Sequence, residues 1–249
     1  TLMIDDMSVG DMELYIANHS LVETMEEEID LEPAVSEMQM LLWTIYQADK
    51  NNCAYNQNFV GDIHGNLHIG ILKSVIRQLV SYHSELRAKF YEEKGILKKS
   101  FCSIDELEYF IYDEEIVYSD KEIELKIKEF ENTPFYLENG GLFKVYLLRK
   151  RKGYVMTACA HHAVIDLESM NVLLSQLAEN YQRLYNGLEL ESFTESKYEK
   201  FINDYTKYLD SENGTKDRDF WNEKLMGPLQ IVQKSEKKRP EKVTKNGDL

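Results

Sequence analysis

No run of apolar residues in this 249-residue chain is long enough to cross a bilayer, and no positively charged leader with an apolar segment opens it. No membrane partner is expected, and the cytoplasm is the default location. Cysteine is scarce. Cys53, Cys102 and Cys159 are odd in number and far apart, which excludes a disulfide framework and a paired-cysteine zinc site. Basic side chains are missing from the beginning: ten acids precede Pro33, and the first Lys or Arg is Lys50. With a net charge of −15, such a body lacks the basic face that nucleic acid requires. The sign reverses after Ile231, where Lys234, Lys237, Lys238, Arg239, Lys242 and Lys245 make a short Lys-rich connector. No Gly-x-Ser-x-Gly elbow occurs, so an activated serine of that type is excluded too.

What is present is periodic. The chain is long enough for a sizeable core. Residues 1–32 read as an acidic leader or linker with one helical portion, Asp11 to Glu28, either a solvated helix or a docking element. From Ser36, a plausible N-cap, the residues Met38, Leu41, Leu42, Ile45 and Tyr46 recur at helical spacing. Ala54 to Asp62 has the alternation of a strand. Beyond Gly65, Leu72, Val75, Ile76, Leu79 and Val80 form one apolar stripe of a helix that runs to His83. Short strands are expected at Leu86–Tyr91, Leu97–Cys102 and Leu107–Tyr112, then a charged helix from Ser119 to Asn132. Leu142–Leu148 and Tyr154–His162 read as a hairpin joined across Arg149–Gly153. Further helices are expected to about Gly187, at Lys197–Leu209 and at Lys216–Leu225. Strands and helices intermix without strict alternation, which predicts an α/β fold with a mixed β-sheet flanked by helices.

The centre of the chain is Tyr154-Val-Met-Thr-Ala-Cys-Ala-His161-His162-Ala-Val-Ile-Asp166. A β-prone run delivers two adjacent histidines, then an aspartate, and Leu167, Met170, Leu173, Leu174, Leu177 and Tyr181 follow at helical spacing. Side chains alternate across a strand, so His161 and His162 point to opposite faces and cannot readily share a metal ion. An imidazole at a cleft suits proton transfer near neutrality. Asp166 can lock the strand-to-helix turn by pairing with a cation. Cys159 lies in a strand expected to be buried, which leaves no nucleophile for covalent catalysis. Direct transfer between two bound substrates fits better than a ping-pong route.

His161-His162-Ala-Val-Ile-Asp166 resembles the HHxxxD signature of the condensation domains of nonribosomal peptide synthetases, of the same superfamily as chloramphenicol acetyltransferase. Further segments in the same order are similar to that family. Ser36-Glu-Met-Gln39-Met-Leu-Leu42-Trp43 resembles its SxAQxxLW helix, and His83-Ser-Glu-Leu86-Arg87-Ala-Lys-Phe90 its HExLRTxF segment. Pro134-Phe-Tyr-Leu-Glu-Asn-Gly-Gly141-Leu142-Phe143-Lys144 resembles PFDLExGPLFR, and Phe220-Trp221-Asn-Glu-Lys-Leu225 resembles YWxxxL. Leu167 departs from the Gly that usually follows the motif aspartate, whereas Ser169 matches the usual small residue.

The resemblance implies an activity: the amine of one carrier-bound aminoacyl group attacks the thioester of another, both riding on the phosphopantetheine arms of carrier proteins. It implies His162 at the tunnel as proton acceptor or as stabiliser of the intermediate, with His161 and Asp166 holding the loop. Arg87 is then the candidate partner of Asp166, and Leu167 and Ser169 are candidate tunnel-lining residues. The family domain has two similar lobes. The implied organisation is residues 33–226 as an N-terminal lobe of chloramphenicol acetyltransferase type. Residues 227–249 would be a hinge, with Lys237-Lys238-Arg239-Pro240 resembling the start of a second lobe. An isolated lobe of this kind is expected to be inactive alone, with an exposed apolar face that a second lobe or another copy of the chain could cover. Two alternatives stand beside this reading: an acyl-CoA-dependent acyltransferase of the same superfamily, and a non-catalytic carrier-docking lobe. Cyclising relatives carry aspartate in place of the histidines, and epimerising relatives usually carry Trp where this chain has Met170.

Overall fold

A computed structural model describes residues 33–113, 116–190 and 198–227. Apart from Pro33, these fall within one unit of the chain, Ala34–Leu249. The helical portion expected at Asp11–Glu28 and the Lys-rich connector lie outside the described residues.

Helix α1, Glu37–Ala48, starts where the sequence supplies a capping box. The Ser36 hydroxyl accepts the Gln39 backbone N–H, and the Gln39 side chain accepts the Ser36 backbone N–H. Strand β1, Asn56–Ile63, leads to α2, Ile69–Tyr82, whose five-residue stripe is wholly buried. A 3-10 turn at Ser84–Arg87 then opens a two-stranded hairpin of β2, Ala88–Glu93, and β3, Ile96–Phe101. Its two-residue turn, Lys94-Gly95, has positive φ at both positions, the twist-compatible geometry for so tight a reversal. The strand expected from Leu86 begins two residues later, because Ser84–Arg87 closes its own 3-10 hydrogen bonds first.

A second 3-10 turn, Ile104–Glu106, precedes β4, Phe110–Tyr112. Helix α3, Asp120–Glu131, is opened by a Ser119–Glu122 capping box, and β5, Phe143–Arg149, is followed by β6, Tyr154–His161. The long α4, Leu167–Tyr185, leaves the end of β6, and α5, Tyr198–Asp210, and α6, Glu212–Leu225, complete the described order. The main sheet runs β1-β6-β5-β4. The central β6 is antiparallel to both its neighbours, β1 and β5, and β4 lies parallel to β5.

Strand β6 is buried on both faces, which explains its unbroken apolar run. Met156, Ala158 and Ala160 join the core that holds α2 and α4. Cys159 faces the other way, into a second core with Leu42, Tyr46, Phe90 and Leu137, while Val155 packs with Ile123 and Leu148 under α3. His161 continues the odd-numbered face and is buried in its turn. The chain then leaves the sheet, and α4 can start only after the His162–Ile165 turn.

The β5–β6 connection, Lys150–Gly153, is closed by Lys150 N–H donating to the Gly153 carbonyl at 3.0 Å. Gly153 sits at φ +93°, and a Cβ there would stand 2.2 Å from the Ile63 carbonyl oxygen. Gly153→Ala therefore combines left-handed strain with a backbone clash and is expected to cost about 2 kcal/mol or more. Chemical denaturation measures this, and an unchanged midpoint would mean that the turn relaxes freely.

Candidate functional site

A cavity of about 660 Å³ opens at the C-terminal end of β6. The turn His162–Ile165, the first turn of α4, the start of α1 and the Ser84–Arg87 segment form its walls, and Tyr198 and Phe201 of α5 close one side. His162 is half-buried and lines the space, whereas His161 does not. One step along the chain separates them, and strand alternation sends them apart.

The two imidazoles differ in environment. His161 is 3 % exposed, and its Nδ1 accepts the Ala163 backbone N–H at 3.1 Å. That nitrogen is therefore unprotonated, and Nε2 carries the proton of a neutral ring. Burial, with the charge of His162 second, pushes the His161 pKa down to about 4. His162 is held through its own Nδ1, which lies 2.8 Å from the Ile165 carbonyl oxygen and 3.2 Å from the Gln57 side-chain nitrogen. The carbonyl only accepts and is the nearer partner, so in the neutral ring Nδ1 is the protonated nitrogen and Nε2 keeps its lone pair. The Gln57 amide nitrogen, itself a donor, is then a close neighbour and not a hydrogen-bond partner. Backbone bonds fix the frame: His162 N–H donates to the Tyr55 carbonyl at 2.8 Å, and Val164 N–H donates to the His161 carbonyl at 3.0 Å.

Asp166 is the N-cap of α4. Its Oδ1 accepts the Ser169 backbone N–H at 2.7 Å and the Ser169 hydroxyl at 2.6 Å. Those two bonds, side chain first, hold its carboxyl below the ordinary carboxylate range. The expected pairing with Arg87 is corrected. The Arg87 guanidinium donates to the carbonyls of Val80 at 3.2 Å, Cys102 at 3.0 Å and Ser81 at 3.4 Å. Arg87 thus satisfies backbone oxygens where α2 ends and β3 leaves the sheet. A helix N-terminus presents free N–H groups in place of a cation, and Asp166 meets those. Leu167 needs a second correction. It is 69 % exposed at the head of α4, and the cavity wall there is made by Asp166, Glu168 and Ser169.

A buried polar network, unremarked in the sequence, underlies the turn. Gln39 Nε2 donates to the Ala163 carbonyl at 3.0 Å and to Glu85 Oε2 at 2.8 Å. Glu85 Oε1 accepts from Lys99, whose side chain is entirely buried and whose Nζ also lies 3.6 Å from Glu199 of α5. Lys99 stands over the Tyr198 ring as well, 5.1 Å from its centroid. Burial raises the Glu85 carboxyl above its ordinary value, against the pull of Lys99 and Gln39. Gln39 and Glu85 fall inside two of the recognised segments, but only the fold shows what they hold. Burial likewise pushes the Cys159 thiol up to about 12, so it supplies no thiolate. Among the described residues no three His, Cys, Asp or Glu side chains converge as metal ligands, and no described helix is long and apolar enough to cross a membrane.

The family model of the condensation domain matches residues 31–248, and these include the His161–Asp166 turn. The chain belongs to the condensation-domain family. It is 27% identical over 203 residues to polyketide synthase PksN of Bacillus subtilis (strain 168), covering 81% of this chain and 4% of that protein. It is 26% identical over 212 residues to surfactin synthase subunit 2 of the same organism, covering 85% of this chain and 6% of the synthase. Among solved structures, the starter condensation domain of rhizomide synthetase RzmA superposes with a TM-score of 0.70 at 18% identity, over 80% of this chain and 51% of that one. The first condensation domain of the calcium-dependent antibiotic synthetase, in complex with a substrate analogue, gives 0.68 at 21%, over 78% and 47%. The fold is thus that of condensation domains, a mixed sheet flanked by helices. The chain spans about half the length of these solved domains and a few per cent of the synthetases.

Two predictions follow from the condensation-domain turn. Asp166→Ala removes a cap, not a buried ion-pair partner, so it should cost about 1 kcal/mol in chemical denaturation; a loss of about 3–5 kcal/mol would restore the ion-pair reading. His161 has a folded pKa below the ordinary imidazole value of about 6.5. Its stabilisation is therefore complete above pH ~6.5 and is lost as the pH falls towards about 4, a swing of about 3 kcal/mol. His161→Asn keeps an acceptor for Ala163 but does not titrate. Its stability should fall less than wild type over that window, and parallel curves would contradict the assignment.

Proposed function

We propose that this chain supplies the histidine-bearing half of a site for amide bond formation in nonribosomal peptide synthesis. The substrates are an acyl or peptidyl donor and an aminoacyl acceptor, each a thioester on the phosphopantetheine arm of a carrier protein. The observation that carries this reading is the His162 ring. Its Nδ1 is committed to the Ile165 carbonyl, so a lone pair on Nε2 is left for the cavity.

That tautomer favours one of the two roles open to such a histidine. An oxyanion needs a donor, and Nε2 of this neutral ring has no proton to donate. It can accept one. The acceptor's amine nitrogen attacks the donor's thioester carbon, and the new C–N bond forms as the amine proton passes to Nε2. Collapse of the tetrahedral intermediate breaks the C–S bond, and the proton returns to the departing thiolate. No enzyme-bound acyl group is required, in accord with the buried Cys159.

Confinement supplies much of the remaining acceleration. Holding amine and thioester together is worth up to roughly 7–11 kcal/mol, and it requires walls on both sides of His162. The second lobe would supply the missing wall. Met38, Val172 and Phe201, all exposed apolar residues at the rim, are the side chains it would cover.

In a two-lobe domain containing this half, His162→Ala should slow single-turnover amide formation by on the order of a hundred- to ten-thousand-fold while the protein remains folded. A wild-type rate would remove His162 from the mechanism. These 249 residues by themselves, mixed with both charged carrier proteins, should give little or no product by mass spectrometry. Light scattering on the same sample would show whether the exposed apolar rim draws two copies together. Efficient product formation by a monomer would overturn the two-lobe requirement.

A further inference from the structure

We propose that Gln39, anchored by the Glu85–Lys99 ion pair, is a positioning residue for His162: it holds the Ala163 carbonyl so that the turn delivers the Ile165 carbonyl to His162 Nδ1. The inference deepens the proposed function and rests on it only for its catalytic consequence.

The geometry is a chain of contacts from the core to the ring. Lys99 lies in β3 with no exposed side-chain surface, and its cation is met by Glu85. A charge removed from water in this way is tolerated only where its partners are fixed. Glu85 uses its second oxygen to accept from Gln39 at 2.8 Å, which orients the carboxamide. The same Gln39 nitrogen donates to the Ala163 carbonyl at 3.0 Å, 124 residues away in sequence. Ala163 is gripped at both ends, since its N–H donates to His161 Nδ1. With the Ala163 peptide groups set, the chain can continue only through Val164 to an Ile165 carbonyl that meets His162 Nδ1 at 2.8 Å.

Gln39 suits this place better than other polar residues. Its nitrogen must donate twice, to a carboxylate and to a carbonyl, while its oxygen accepts the Ser36 N–H of the α1 cap. A carboxylate at this position could not donate, and an ammonium could not accept. The Ser36–Gln39 capping box therefore does more than begin a helix. It fixes the helix end against the catalytic turn.

The test reads the tautomer of His162 by nitrogen NMR on the 15N-labelled chain at pH 8, with His162→Ala used to assign its signals among the six histidines. In wild type, His162 should be protonated at Nδ1. Gln39→Met fills the same space without donating, and the ratio of Nδ1-protonated to Nε2-protonated ring should fall by between about twofold and tenfold, the equivalent of one hydrogen bond. Glu85→Gln leaves Gln39 a neutral acceptor and should shift the ratio in the same direction by less; it serves if Gln39→Met fails to fold. A purely structural role for Gln39 would lower the melting temperature and leave the tautomer ratio unchanged. An unchanged ratio in a folded variant, or a wild-type His162 protonated at Nε2, overturns the proposal. Should His162→Ala condense substrates at the wild-type rate in a two-lobe domain, the functional reading falls and the tautomer result stands.

Discussion

The bond from the Ala163 backbone N–H to Nδ1 of His161 is the contact on which the site depends. It requires a neutral imidazole, which burial enforces, and it turns the chain sharply away from β6 before the sheet face ends. A second imidazole is thereby placed at the edge of a cavity with its ring held from the backbone. Adjacent histidines are thus not two copies of one device. The first gives up its basicity to shape the turn, and the second keeps an open nitrogen because the turn is shaped.

Around this contact the protein places charge where an apolar core would be the cheaper choice. Lys99 and Glu85 are removed from water in a chain whose net charge is already −15. Replacing such a pair with hydrophobic residues is often neutral or stabilising, so stability alone does not account for it. The pair does give direction. It joins β3, the Ser84–Arg87 turn and α1 to the turn that carries His162, and through Glu199 it reaches α5, which forms one side of the cavity. Apolar contacts could hold these elements together without specifying the rotation of any one of them.

Periodicity made the scaffold legible. The stripe from Leu72 to Val80, the two-sided apolar run of β6 and the Ser36 and Ser119 caps each declare an element by local chemistry, and each lies where that chemistry places it. The opposite facing of His161 and His162 could likewise be read from strand alternation. Long-range partners were hidden. Nothing local shows that Lys99 is buried while Lys98 beside it keeps solvent, or that Gln39 reaches a carbonyl 124 residues away. Asp166 misled because an aspartate before a helix suits both an ion pair and a cap, and only the fold shows that Arg87 is occupied by backbone carbonyls. Leu167 misled because its place along the tunnel was implied by the resemblance, whereas as the first residue of α4 its side chain faces solvent.

Native-state hydrogen exchange at the amides of Ala163, Val164 and His162 tests most directly whether this turn is a rigid part of the fold. Each of the three donates to a defined partner: the His161 ring, the His161 carbonyl and the Tyr55 carbonyl. If the buried ring organises the site, these amides should open with free energies close to those of the central β6 amides, and they should lose protection together when the pH falls from about 6.5 towards about 4. Exchange at the rate of an exposed loop, with β6 still protected, would contradict the account, because His162 would then ride on a turn that the core does not hold.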